Sequence, residues 1–169
     1  NPDIKIFLPE TIKNFESVLR GAGLGSQLDA FELSMNRAAE KAAPEAQALF
    51  VDTIEKMSFA DAKEILQGPD DAATQYFREK TGPELSKRFE PIVEGAMSEV
   101  GVTRYYQDIH AQLKQVPFAD LSGLDLEKYV TDQALDGLFL MVAKEEKKIR
   151  ENPGARVTDL LKDVFSKSQ

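Results

Sequence analysis

The stretch of residues 68–81, GPDDAATQYFREKT, carries the densest set of hydrogen-bonding side chains in the chain. At roughly 100° of rotation per residue, four of its polar side chains share one side of a helix, while the apolar residues occupy the other. We expect that polar side to face solvent, a cleft or another subunit, and to bind a ligand or partner. Its members are Asp71, Thr74, Gln75 and Arg78. The alternative is that Asp70 or Asp71 only caps the helix N-terminus.

A second group of acids lies in and beside an apolar segment, ALDGLFLMVA, at residues 134–143. Tyr129, Asp132 and Asp136 share a helix face, and two neighbouring carboxylates can serve as general acid and base. This pair, or Asp70 with Asp71, would suit a carboxylate-dependent, hydrolase-like enzyme. An exposed polar stripe or a structural ion pair explains Asp132 and Asp136 equally well, because an unpaired buried carboxylate is costly.

The segment SMNRAAE adds a second polar spot, Asn36 and Arg37, to the candidate binding residues. The same segment begins a run of small residues at helical spacing, Ala38, Ala39 and Ala42. Small side chains let two helices approach closely, so a third hypothesis is self-association through this face. The sequence does not fix the oligomeric state.

The remaining motifs predict no metal and no cofactor. The glycine-rich GAGLGS at 21–26 lacks the third glycine and the preceding strand of a dinucleotide loop. His110 is the only histidine and there is no cysteine, which excludes thiol catalysis and a histidine-rich zinc site. The net charge of −8 and the lack of a basic stripe disfavour a nucleic-acid partner.

These residues are carried by a pattern that is helical almost throughout. Apolar residues recur every three or four positions, and start signals stand at Ser58, Thr81, Asp125 and Asn152, where Thr81 opens a T-x-x-E capping box. Only residues 4–8 alternate like a strand, and we expect them to form an extended arm on the helices. No apolar run is long enough to span a membrane. The sequence predicts one compact all-α domain over residues 1–169, a bundle of roughly eight helices.

The chain resembles the bacterial domain-of-unknown-function family number 4197 over nearly its whole length. The matching passages are IKIFLPE (4–10), ELSMNRAAEKAAPEAQALFVDTI (32–54), DDAATQYFREKT (70–81), PIVEGAMSEVG (91–101), YVTDQALDGLF (129–139) and EEKKIRENPGARVTDLLKDVF (145–165). The resemblance implies an exported protein of the periplasm or cell envelope, and the absence of an initial methionine fits a lost leader. No catalytic residues come with the family. The leading hypothesis is therefore a non-catalytic module that binds an unknown protein or small-molecule ligand, and the paired-aspartate enzyme is the alternative.

Overall fold

The predicted all-α architecture is confirmed in a computed structural model of the protein. The structure describes residues 1–99, 101–119 and 121–152, and none of these forms a β-strand. A one-turn 3-10 helix, Pro2–Ile4, precedes the α-helices. They are α1 (Glu10–Lys13), α2 (Glu16–Gly21), α3 (Gly25–Ala42), α4 (Glu45–Lys56), α5 (Phe59–Gln67), α6 (Ala72–Glu99), α7 (Val102–Leu113) and α8 (Leu126–Glu151).

The two longest helices, α6 and α8, pack against each other and form the centre of the bundle. Helix α3 contacts α6, α7 and α8, while α4 and α5 lie against α6. The core between these helices consists of large apolar side chains that are fully buried, among them Phe31, Leu85, Phe89, Val93 and Val130. No helix in the described part of the chain combines the length and the apolarity needed to cross a membrane.

Helix α6 corrects one prediction, because it does not begin at the Thr81 capping box. It runs without interruption from Ala72 to Glu99, with Pro83 and Pro91 inside it. The Thr81 hydroxyl donates to the Phe77 carbonyl one turn back instead of capping a new helix. An internal proline removes one helical hydrogen bond, but both prolines lie on the exposed side of α6. The opposite side buries a continuous row of residues against α3 and α8, and this burial outweighs the cost of the prolines.

Two other start signals are confirmed. Ser58 and Asp61 form a capping box at the start of α5, and the Asp125 side chain accepts a hydrogen bond from the Lys128 backbone at the start of α8. The closing helix predicted after Asn152 lies outside the described residues.

The N-terminal arm lies on the helices as predicted, against α3 and α8, although Ile4 belongs to the 3-10 helix and is not extended. Residues 5–9 are outside regular secondary structure, and Ile6 and Leu8 are buried. Asn36 of α3 holds the arm through two bonds to Ile6: its Oδ1 accepts from the Ile6 N–H at 2.9 Å, and its Nδ2 donates to the Ile6 carbonyl at 2.8 Å. The same Nδ2 donates to the Glu32 carbonyl within α3 at 2.8 Å. Gly137 of α8 lets Ile4 approach, since a Cβ at that position would lie 3.2 Å from the Ile4 Cβ.

The small-residue face of α3 is not an outer surface. Ala38 and Ala42 are fully buried in the core, so the close approach that they permit is used within the chain. The prediction of self-association through Ala38, Ala39 and Ala42 is therefore wrong, because only Ala39 of the three retains any exposure.

Candidate functional site

The four residues of the polar face predicted on α6 do not act together: two of them contact α8 and the other two contact each other at the surface. Thr74 is buried and bonded to α8, and Arg78 also turns toward α8. Asp71 and Gln75 remain at the surface, where the Gln75 amide donates to the Asp71 carboxylate at 2.9 Å. Arg78 also stays exposed, with 51% of its side chain accessible, so the expectation that all four residues face outward is wrong only for Thr74.

Thr74 turns inward because a carboxylate from α8 caps α6. Glu146 accepts the backbone N–H groups of Ala73 and Thr74 and the Thr74 hydroxyl, all at 2.8 Å. These amides have no partner inside the helix, being in its first turn. The capping role predicted for Asp70 or Asp71 therefore belongs to Glu146, a residue 72 positions away from Thr74 in the chain.

Arg150 completes this cap. Its Nε and one terminal nitrogen donate to Glu146 at 3.0 and 2.8 Å, and the same terminal nitrogen donates to the Ile65 carbonyl near the end of α5 at 2.7 Å. The side chains of Glu146 and Arg150 are only 10% and 12% exposed. The pair joins α5, α6 and α8 at one point, which makes it a structural cluster.

The predicted acid pair does not converge. Asp132 pairs with Lys128 at 2.7 Å, Asp136 pairs with Arg78 at 3.0 Å, and both carboxylates are about half exposed or more, at 48% and 61%. Asp70, the other candidate acid, lies 3.8 Å from Lys147. Each carboxylate is directed to a different cation at the surface, an arrangement without the enclosed acid and base that catalysis needs.

We expect the Arg78–Asp136 pair to contribute little to stability. Both side chains are more than half exposed, although Arg78 also lies over the Phe139 ring at 4.8 Å from its centroid. In a double-mutant cycle with Arg78→Ala and Asp136→Ala, the coupling free energy should be about 1 kcal/mol or less. Chemical denaturation of the four proteins measures it, and a coupling of several kcal/mol would contradict the surface-pair assignment.

The second polar spot, Asn36 and Arg37, is likewise divided. The Asn36 side-chain amide forms hydrogen bonds with the backbone of the arm, whereas Arg37 is exposed and pairs with Glu40 at 2.6 Å. His110, half-buried on α7, stacks on Tyr106 with ring centroids 5.8 Å apart. Within the described ranges, no group of three or more histidine, cysteine, aspartate or glutamate residues could hold a metal ion.

A polar groove of about 350 Å³ lies between α5 and the first half of α6, and we call it the α5–α6 groove. It holds Gln75 of the predicted site, together with Tyr76 and four charged side chains. These are Asp61, Glu64, Glu79 and Lys80.

The turn at Gly68 brings the two walls of this groove together. A Cβ at position 68 would lie 3.1 Å from the Glu64 carbonyl oxygen and only 2.6 Å from the Ala72 Cβ, and the second distance is too short for any side chain. Glycine thus lets the end of α5 contact the start of α6. On α6, Ala72, Gln75, Tyr76 and Glu79 then follow one another at helical spacing along the groove.

Negative charge predominates in the α5–α6 groove. Hydrogen bonds from the Ser58 hydroxyl, and then from the Ser58 backbone N–H, hold the pKa of Asp61 below its ordinary value, so this carboxyl stays ionised. The Lys80 ammonium lies 5.6 Å from the Tyr76 ring centroid and 3.8 Å from Glu79. The face of Tyr76 therefore already accepts a cation from its own chain.

Sequence reasoning missed most of this groove. Of the residues predicted as a site, only Gln75 lies in this groove, and neither the aromatic ring nor the charged side chains of the groove were among them. The spacing of Ala72, Gln75, Tyr76 and Glu79 is visible in the sequence. What it could not supply is the position of α5, because that depends on the Gly68 turn and on the contact between Arg150 and Ile65.

Comparison with known protein families gives a match over nearly the whole chain. A family described as "Protein of unknown function (DUF4197)" matches residues 1–166. No curated protein and no solved structure shows a significant match to the chain.

Proposed function

The chain belongs to the DUF4197 family of proteins of unknown function, and we propose that it is a non-catalytic binding module of the bacterial cell envelope. In this proposal the α5–α6 groove receives a basic segment of a partner protein. The periplasmic or envelope location rests on the exported character that the family resemblance implies.

The combination of an aromatic ring with carboxylates in one groove carries this proposal. Asp61, Glu64 and Glu79 line it against one cation, Lys80, so a positively charged group entering it meets net attraction. The Tyr76 ring adds a surface on which an ammonium or guanidinium group can rest. Since Lys80 occupies this surface in the free protein, a lysine or arginine of the partner would replace it.

A non-catalytic role is supported by the placement of the acids. Asp132 and Asp136 are exposed and held by different cations, and the groove contains no histidine. A groove of this size, built on two helices joined by a tight turn, can instead hold one or two side chains of a partner.

The test is binding of a labelled peptide with two lysines, GGKGKGG, measured by fluorescence anisotropy at low salt. Tyr76→Leu and Glu79→Gln should each weaken binding about 2–5-fold, because each removes one attractive contact with the ammonium group. Thermal unfolding of each variant confirms that it remains folded.

Glu94→Gln is the matched control. Glu94 is exposed on the same helix, outside the groove, and its substitution changes the net charge by the same amount as Glu79→Gln. An unchanged affinity in Glu94→Gln supports the groove. Equal weakening by Glu79→Gln and Glu94→Gln would mean that the peptide is attracted by the overall negative charge and not by the groove, which would contradict the proposal. Absence of peptide binding would overturn it as well.

A further inference from the structure

A second depression lies beneath the N-terminal arm, where the arm crosses the space between α3 and α8. It has a volume of about 270 Å³, and we call it the arm cavity. Ile4 and Ile6 of the arm form one wall. None of the residues of the α5–α6 groove contributes to it.

The arm cavity exists because its helical walls carry small residues. Ala39 of α3 and Ala43, which directly follows α3, line it together with Ala134 and Gly137 of α8. At one end, Ile4 fills the space that Gly137 leaves. Over the rest, three alanines provide no side chain long enough to meet the opposite wall, so the cavity stays open. The larger side chains of Leu138 and Met141 complete a lining that is mostly apolar.

The polar groups of the arm cavity restrict what it can hold. Asn36 uses its amide on the backbone of Ile6 and Glu32. Among the described lining residues, Glu40 is the only ionisable side chain and is already paired with Arg37, so the lining offers an anionic ligand no cationic side chain. The Gln133 side-chain amide lines the cavity and forms no hydrogen bond with another described residue. It can therefore form a hydrogen bond with a neutral polar group of a ligand.

We infer that the arm cavity binds an uncharged aliphatic molecule, with its chain beneath the arm and a hydroxyl or ester group at Gln133. An apolar cavity of about 150 Å³ already accommodates a benzene-sized molecule, so the arm cavity has room for a longer chain. The driving force is burial of the apolar chain, and Gln133 sets its direction.

Titration of the full chain with 1-octanol and, separately, with octanoate tests this inference. We expect saturable octanol binding, seen as chemical-shift changes at Ala134, Gly137 and Gln133 in NMR spectra. Octanoate, which has the same chain length and a negative charge, should bind at least about 10-fold more weakly, because its carboxylate would lose hydration without gaining a cationic partner in the lining. Equal affinity for both compounds, or no saturable binding of octanol, would overturn the inference.

Cavity-filling variants locate the site. Ala134→Leu should remove octanol binding without lowering the melting temperature, because the added side chain occupies open space. Ala43→Leu at the exposed rim provides a second test if Ala134→Leu is destabilised. Ala111→Leu, at an exposed alanine of α7 outside the cavity, is the control and should bind octanol like the original chain. Octanol binding that survives both cavity variants would place it elsewhere and contradict the inference.

Discussion

Replacing Glu146 with alanine is expected to lower the free energy of unfolding by about 3–5 kcal/mol, the cost of breaking a buried ion pair from one side. Glu146 accepts three hydrogen bonds from the first turn of α6 and is held by Arg150. Without it, the N–H groups of Ala73 and Thr74 and the Thr74 hydroxyl lose their acceptor in a place with little access for water. Chemical denaturation monitored by circular dichroism measures the change.

Two variants separate the cap from general charge effects. Glu145→Ala removes an adjacent carboxylate that is 60% exposed and lies 3.4 Å from Lys148, so it should cost about 1 kcal/mol or less. Glu146→Gln keeps the shape and one acceptor oxygen but not the charge, and should fall between the two. A loss for Glu146→Ala no larger than that for Glu145→Ala would show that α6 does not depend on this cap.

The helices themselves could be predicted well from the sequence, because their signals are local. The capping residues Ser58 and Asp125 each bond to a backbone group three residues ahead, so the pattern contains the whole interaction. Helix α6 shows where local signals fail. A glycine and a proline next to a capping box normally mark a helix start, but burial of Leu85 and Phe89 against distant helices maintains one continuous helix.

The roles of the polar residues were far less predictable, since each depends on a partner distant in sequence. Thr74 could not be recognised as buried without Glu146. An ion pair was one of the explanations open for Asp136, but its partner, Arg78, is 58 positions away and could not be identified from spacing. Helical spacing indicates which residues share a side of a helix. It does not indicate which neighbouring helix covers that side.

Asn36 and Arg37 show the same limit in two adjacent residues, and they supply the second large expected effect. Asn36→Ala should lower the free energy of unfolding by about 2–3 kcal/mol, because the Ile6 N–H and carbonyl lose their partners. Arg37→Ala, the control, removes an exposed pair with Glu40 and should cost less than about 1 kcal/mol. Chemical denaturation of both variants measures the difference. Equal losses of unfolding free energy would contradict the stabilising role of the two Asn36–Ile6 hydrogen bonds, which we call the Asn36 clamp.

The Asn36 clamp also predicts where the chain loosens. The arm is held to α3 mainly at Ile6, so Asn36→Ala should increase hydrogen exchange at the Ile6 amide more than at buried amides of α6. Because the arm forms one wall of the arm cavity, the same variant should bind octanol more weakly. Peptide binding at the α5–α6 groove should persist, since that groove shares no residue with the arm. Loss of both activities would instead indicate that Asn36→Ala unfolds the bundle, and a still-protected Ile6 amide would show that the arm is held by other contacts.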